Sequence, residues 1–134
     1  MRRTLFFALI SSSLLFACTP QKMYYFGNYS QTLYELEKDQ TEEALINHRQ
    51  ELEEIISESE TRNLPVPPGI YAELGYIHLK ENNTQEAVRL FQVESRLYPE
   101  SDHLMERLIQ SAKARESDES NVSDLSTSMN SMSH

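Results

Sequence analysis

A single cysteine, Cys18, serves the whole chain, so no internal disulfide can hold the fold and its stability must come from an apolar core. Glycine and proline are scarce, three and five in 134 residues, and nowhere do Val, Ile and Thr alternate as they would along a half-buried strand. The common residues are Glu, Leu, Ala, Gln and Arg, all good helix formers, and an all-α fold is expected. Basic residues are also few. Twelve Lys and Arg against 21 acids leave a formal charge of −9, which argues against nucleic acid as a partner and against electrostatic attachment to anionic lipid. The sequence has no phosphate loop, no Gly-x-Ser-x-Gly, no Cys-x-x-Cys and no His-Glu-x-x-His. His48, His78 and His103 fall on separate predicted helices with no local carboxylate–histidine constellation. No catalytic residues and no metal site are expected, and the chain reads as a non-enzyme.

What is present begins with Met1-Arg2-Arg3, followed by an apolar run from Leu5 to Phe16 softened only by Ser11, Ser12 and Ser13. A basic start, a short apolar stretch and a small residue, Ala17, form the layout of a cleaved signal peptide over residues 1–17. At about 1.5 Å per residue the run covers roughly 18 Å, too short for a bilayer core of about 30 Å. The order Leu15-Phe16-Ala17-Cys18 resembles the bacterial lipobox, with a Phe16 bulkier than the residue usual at that place. The resemblance implies that Cys18 becomes the first mature residue and carries a diacylglyceryl thioether and an N-acyl chain. Thiolate nucleophilicity explains why cysteine is needed there. Several acyl chains anchor firmly where one is marginal. Thr19 after the cysteine, in place of Asp, implies outer-membrane sorting in the lipoproteins this resembles; the periplasmic face is a separate expectation, and the sequence does not identify the leaflet. Removal of 1–17 leaves 117 residues, enough for one domain, and shifts the formal charge to −11.

Residues 18–29 read as a lipidated tether and an aromatic segment, whose rings either cap a helical core or rest at lipid headgroups. A helical domain is expected over 30–115. The first helix is placed near Ser30 to Lys38, with Leu33, Leu36 and Tyr29 on one face. Thr41 is the expected N-cap of a second helix to about Glu60, with Ala44, Leu45, His48, Leu52, Ile55 and Ile56 along one side. Ten acids and two basic residues between Glu35 and Glu60 suggest a solvated face, because no calcium loop is present. Pro67 or Pro68 is expected to open a third helix.

From Ile70 to Ser101, the positions of Tyr71, Leu74-Gly75, His78, Ala87, Phe91 and Pro99 resemble the tetratricopeptide repeat, a helix-turn-helix unit of about 34 residues. Gly75 and Ala87 would let the two helices approach while Phe91 fills the space beside them. Asn82-Asn83 supplies a turn, Thr84 the next cap, and Pro99 the stop. Glu94 stands where a small residue is usual, which suggests that the packing there is looser or opens to solvent. Leu97 is placed on the buried stripe of this hairpin, and Leu104, Leu108 and Ala112 on that of a capping helix over 102–114. Since one repeat cannot bury its own apolar faces, about five helices are expected, as two hairpins and a cap. By position in the repeat, Ala72, Tyr76, Leu79 and Lys80 would line a protein-binding face, with Tyr76 and Leu79 partly exposed.

Three further blocks, "MYYFGNYSQTLYEL", "VPPGIYAELGY" and "YPES…MERLI", resemble a family of small bacterial lipoproteins of unknown function, encoded beside a curli-secretion-channel-type lipoprotein. That resemblance implies an envelope location and partners among envelope proteins, and no chemistry. Residues 116–134, with seven serines, read as a disordered tail. Its Met129-x-x-Met132-x-His134 spacing suits Cu(I) and also arises readily by chance. The resulting expectation is an outer-membrane lipoprotein acting as a protein-binding adaptor. The alternatives are a structural envelope role and metal handling by the tail.

Overall fold

The computed structural model describes residues 23–131, with side chains through 117. The signal peptide, Cys18, Met132 and His134 lie outside the described residues, as does the side chain of Met129. Five α-helices follow in order among the described residues: α1 Tyr29–Asp39, α2 Glu42–Thr61, α3 Ile70–Lys80, α4 Thr84–Leu97 and α5 Asp102–Ser131. A 3-10 turn at Pro99–Ser101 precedes α5. Helices α1 and α2 form one antiparallel hairpin, α3 and α4 a second; α2 packs on α3, and α5 closes against α4. This is the expected all-α arrangement of two hairpins and a cap.

Local chemistry sets the boundaries. Thr41 is extended, and its hydroxyl accepts the Ala44 N–H at 3.1 Å, with Glu42 and Glu43 in the positive first turn of α2. Gln40 and Asn82 adopt the left-handed conformation, φ 48° and 60°, and so end α1 and α3. The cap of α4 is Asn83, whose side chain accepts the Glu86 N–H, rather than Thr84. Neither Pro67 nor Pro68 opens α3. They build a turn in which Ile70 N–H donates to the Pro67 carbonyl at 3.3 Å, and Gly69, at φ +92°, takes the position that requires a left-handed residue. Helix α5 runs to Ser131, past the expected end near 114, so the backbone of 116–131 is helical where the sequence reading expects disorder. No Gly or Pro interrupts residues 102–131, and Ser and Asp weaken a helix without breaking it.

The two hairpins are related. Gly27, Tyr29, Tyr34, Lys38 and left-handed Gln40 match Gly69, Tyr71, Tyr76, Lys80 and left-handed Asn82 at a spacing of 42 residues. In the second helices Thr41, Glu43, Ala44 and Glu51 match Thr84, Glu86, Ala87 and Glu94 at a spacing of 43. The repeat unit is therefore longer than the tetratricopeptide period of about 34 residues.

Its most telling members are the two buried glutamates. Glu51 is 7% exposed, and its Oε1 accepts the Asn28 N–H at 2.6 Å. Glu94 is 2% exposed, and its Oε1 accepts the Gly69 N–H at 2.7 Å. Each carboxylate reaches from the second helix of a hairpin to the N-terminus of the first, where amides are unpaired and partial charge is positive. The expected solvent-open packing at Glu94 is thus corrected: a helix terminus, not water, receives its charge. A Cβ on Gly27 would collide with Glu51 Oε1, and the backbone there has φ +45°, so glycine alone suits the site.

Two apolar clusters fill the bundle. Leu52, Ile55, Val66, Ile70, Leu74, Ile77 and Leu90 join the hairpins. Leu79, Ala87, Phe91, Met105 and Ala112 join the second hairpin to α5. Leu97 and Leu104, expected on buried stripes, are half exposed. The 3-10 turn sets the phase of α5 so that Met105, 1% exposed, faces α4 instead. As expected, α3 and α4 cross closely at Gly75, where an added Cβ would meet Phe91 Cε1 at 2.8 Å and the Ala87 carbonyl at 3.2 Å.

Gly75→Ala should destabilise the domain by about 1–3 kcal/mol despite alanine's better helix propensity, because the Phe91 ring is walled in; urea unfolding measures it. Burial pushes the Glu94 carboxyl above its ordinary 4.5, while the Gly69 N–H, and weaker pulls from the Ala72 and Tyr71 amides, oppose the shift. A raised folded value means that its stabilising contribution is complete below 4.5 and declines as pH rises through the folded value. Glu94→Gln keeps an acceptor for Gly69. Its stability relative to wild type should improve as pH rises from 4.5, as read from thermal unfolding across that range.

Candidate functional site

The sequence-predicted face lies on α3, and the fold divides it. Tyr76 is 47% exposed, and Lys80, also exposed, holds its Nζ 4.9 Å from the Tyr76 ring centroid, within cation–π range. Leu79 is 4% exposed and packed with Ala87, Phe91 and Met105, which corrects its expected partial exposure. Ala72 is half-buried against the same cluster. Ala72 and Leu79, seven residues apart, share the α5 side of the helix, while Tyr76 and Lys80, four residues apart, share the open side.

Lys80 also borders a groove of about 470 Å³ formed where α1 turns into α2, lined by Leu36, Glu37, Gln40, Glu42 and Leu45. The repeat places Tyr34 and Lys38 on α1 at the positions of Tyr76 and Lys80 on α3. Tyr34 is 65% exposed. Each first helix therefore presents one tyrosine with a lysine one turn on, and neither tyrosine is needed for the core. The sequence reading identified the α3 pair only. Comparing the chain with itself would have supplied the α1 pair.

Beneath this face lies a polar junction that local motifs did not reveal. Tyr29 and Thr32 from α1, His48 from α2 and Glu73 from α3 converge between the hairpins. Tyr29 O–H donates to Glu73 Oε2 at 2.8 Å, and His48 Nε2 lies 2.9 Å from Glu73 Oε1. Thr32 Oγ1 is 2.8 Å from His48 Nδ1 and 3.2 Å from the Tyr29 carbonyl. A carboxylate only accepts, so the Nε2 proton belongs on the histidine side of the contact with Glu73. His48 has no exposed area, so its ring nitrogens serve this junction and not a molecule in solvent. Nearby, Arg49 Nη1 contacts both Glu81 oxygens at 3.0 Å, tying α2 to the end of α3.

The electrostatics follow from these contacts. Burial alone would push the Glu73 carboxyl up; the hydrogen bonds from His48 and Tyr29, with the attraction of the His48 ring, outweigh it and hold Glu73 below 4.5. Tyr29 is pushed up to about 12, first by burial and then by its bond to the Glu73 carboxylate. His48 and Glu73 are 25 residues apart and Tyr29 and Glu73 are 44 apart, so no short motif could join them. The one available signal was a histidine on an otherwise apolar stripe, at the position Phe91 fills in the second hairpin. Among the described residues, no group of three or more His, Cys, Asp or Glu is placed to hold a metal ion, and no helix is long and apolar enough to cross a membrane.

Comparison with known proteins matches residues 23–108 to a family described as a domain of unknown function, DUF4810, and the chain belongs to it. The matched span covers both hairpins and the start of α5. No curated protein and no solved structure matches.

A lowered folded value for Glu73 gives a contribution to stability that is present above 4.5 and lost as pH falls through the folded value. Glu73→Gln should therefore cost roughly 1–3 kcal/mol at neutral pH, and the difference from wild type should shrink on acidification below 4.5. Chemical unfolding at the two pH values reads this, and its sign is opposite to that of Glu94→Gln.

Proposed function

We propose that this DUF4810 protein is an outer-membrane lipoprotein, anchored through acyl chains on Cys18, whose helical hairpins bind protein as an adaptor in assembly or export of a surface component. The observation that carries the binding part is the duplicated first-helix face. Tyr34 with Lys38 and Tyr76 with Lys80 repeat at the spacing of the fold, and both tyrosines stand exposed with no packing role to explain them. Tyrosine offers a large amphipathic contact area at low entropic cost and is enriched at binding hot spots. A ladder of two such pairs suits a polypeptide segment better than a small substrate, and we read the chain as a binding protein rather than an enzyme. The anchoring part rests on the lipobox order ending at Cys18, and the outer-membrane location on Thr19 after it. The resemblance to small lipoproteins encoded beside a curli-secretion-channel-type lipoprotein makes that channel component the first partner to test.

A purely structural role in an envelope complex is the competing reading. The well-tied junction at His48 and Glu73 favours it, because a rigid unit can space other proteins without recognising a peptide. The two readings differ over the exposed tyrosines. Replacing Tyr34 and Tyr76 together by alanine should leave the fold intact and lower capture of envelope proteins roughly tenfold in a mild-detergent pull-down. Undiminished capture would favour the structural role. In the same experiment Cys18→Ala should lose the acyl chains and leave the outer-membrane fraction, and equal membrane retention would remove the anchoring claim.

A further inference from the structure

The antiparallel order of the helices gathers the N-termini of α1, α3 and α5 and the C-termini of α2 and α4 at one end of the bundle. The two ends differ in polarity. At the far end the turns are made of Asp39, Gln40 and Thr41 in one hairpin and Glu81, Asn82 and Asn83 in the other. At the near end four large apolar side chains are exposed: Met23 at 69%, Phe26 at 50%, Leu97 at 50% and Leu104 at 56%. The aromatic segment is fixed across this end and does not hang free. The Arg62 guanidinium lies 4.4 Å over the Tyr25 ring, the Tyr24 and Phe26 rings meet edge to face, and Tyr24 lies beside Tyr98. Tyr98 O–H in turn donates to the Val66 carbonyl in the proline loop. The expectation that these rings cap the core holds for Tyr25 and Tyr29, which pack against it; Met23 and Phe26 are turned outward.

Chain length decides what faces this end. Five positions separate Cys18 from Met23, a reach of at most about 17 Å when fully extended. Helix α2, with 20 residues, spans about 30 Å from the near end to the far one. Acyl chains on Cys18 therefore hold the apolar end, and not the polar one, against the bilayer. We propose that this end is a membrane-docking face: Met23, Phe26, Leu97 and Leu104 enter the headgroup region around the anchor, with Tyr24 beside them, so that the domain stands upright on the membrane. Aromatic rings and apolar side chains at that depth are favoured by their own burial. Arg96 beside Leu97 offsets Glu100 and Asp102 before Leu104, so apolar burial rather than net charge draws this end to a lipid surface. The inference rests on the lipid-anchor reading above and adds to it an orientation and a set of contact residues.

The chain has no tryptophan, so single reporters can be placed at will. Phe26→Trp and Leu104→Trp put one at the docking end, and Tyr76→Trp puts one on the first-helix face; all three positions are exposed, and an unchanged helical spectrum checks the fold. Each full-length lipidated protein is reconstituted into phosphatidylcholine–phosphatidylethanolamine vesicles carrying nitroxide-labelled lipid. Mass spectrometry of the same preparation reports the acyl chains on Cys18. Quenching of F26W and L104W emission by at least about twofold, with Y76W nearly unaffected, is the expected result. If Cys18 is acylated and F26W and L104W are quenched no more than Y76W, the docking face is overturned while the anchor stands. Shielding of F26W and L104W from aqueous iodide without quenching by lipid would mean that a protein covers this end, and would overturn it as well. A Cys18 that carries no lipid removes the anchor itself, and the docking proposal falls with it.

Discussion

Two buried carboxylates hold the order of this fold. A hairpin of helices can slide and rotate about its apolar seam, since hydrophobic contact has little direction. Glu51 and Glu94 add direction: each fixes the start of one helix to a set depth on its partner through a backbone N–H that no other group can satisfy. A buried charge without such a partner would be strongly unfavourable, so the contact and the burial require one another. The remaining features follow from that geometry. Gly27 and Gly69 are left-handed glycines because the chain must turn sharply beside the carboxylate, and the aromatic segment and proline loop lie where they do because these turns aim them across the same end.

The junction of Tyr29, Thr32, His48 and Glu73 performs the corresponding task between hairpins. The first hairpin has no wholly buried side chain in α1, where Leu33 and Leu36 are only half-buried. What α1 lacks in apolar burial it recovers in polar contacts, through Tyr29 and Thr32 to partners on α2 and α3. The second hairpin, enclosed by α2 on one side and α5 on the other, has Phe91 at the place of His48 and needs no such network. The two copies of the repeat differ at this one buried place: the first hairpin has His48 where the second has Phe91.

Much of the architecture was legible because it depends on short-range rules. Thr41 as a cap, the stripe from Ala44 to Ile55, the Asn82 turn and the close crossing at Gly75 and Phe91 are all consequences of residues within a few turns of one another. What escaped was non-local or a matter of phase. Glu94 looked like a defect because its acceptor role involves an amide 25 residues earlier. Leu79 looked like a groove residue because the period of the borrowed repeat did not show how far the stripe rotates toward α5. Leu104 yielded its place to Met105 because a three-residue turn shifted the register of a helix. The helical backbone beyond 115 was missed for another reason: polar composition removes the drive to bury a face, while local propensity still permits a helix that starts on a packed one.

That last helix has a mechanical consequence. Ala112 is the last side chain of α5 in the shared apolar cluster, and the backbone of the 19 residues from 113 to 131 carries the helix about 28 Å further. Such an arrangement is a lever with a short arm held in the cluster and a longer one beyond it. A tilt of about 10° at the clamp displaces the far end by roughly 5 Å, so small adjustments where Met105 and Ala112 meet Phe91 and Leu79 are magnified severalfold along the rod. The packing of one methionine and one alanine thus sets the aim of a helix half again as long as the longest helix in the hairpins.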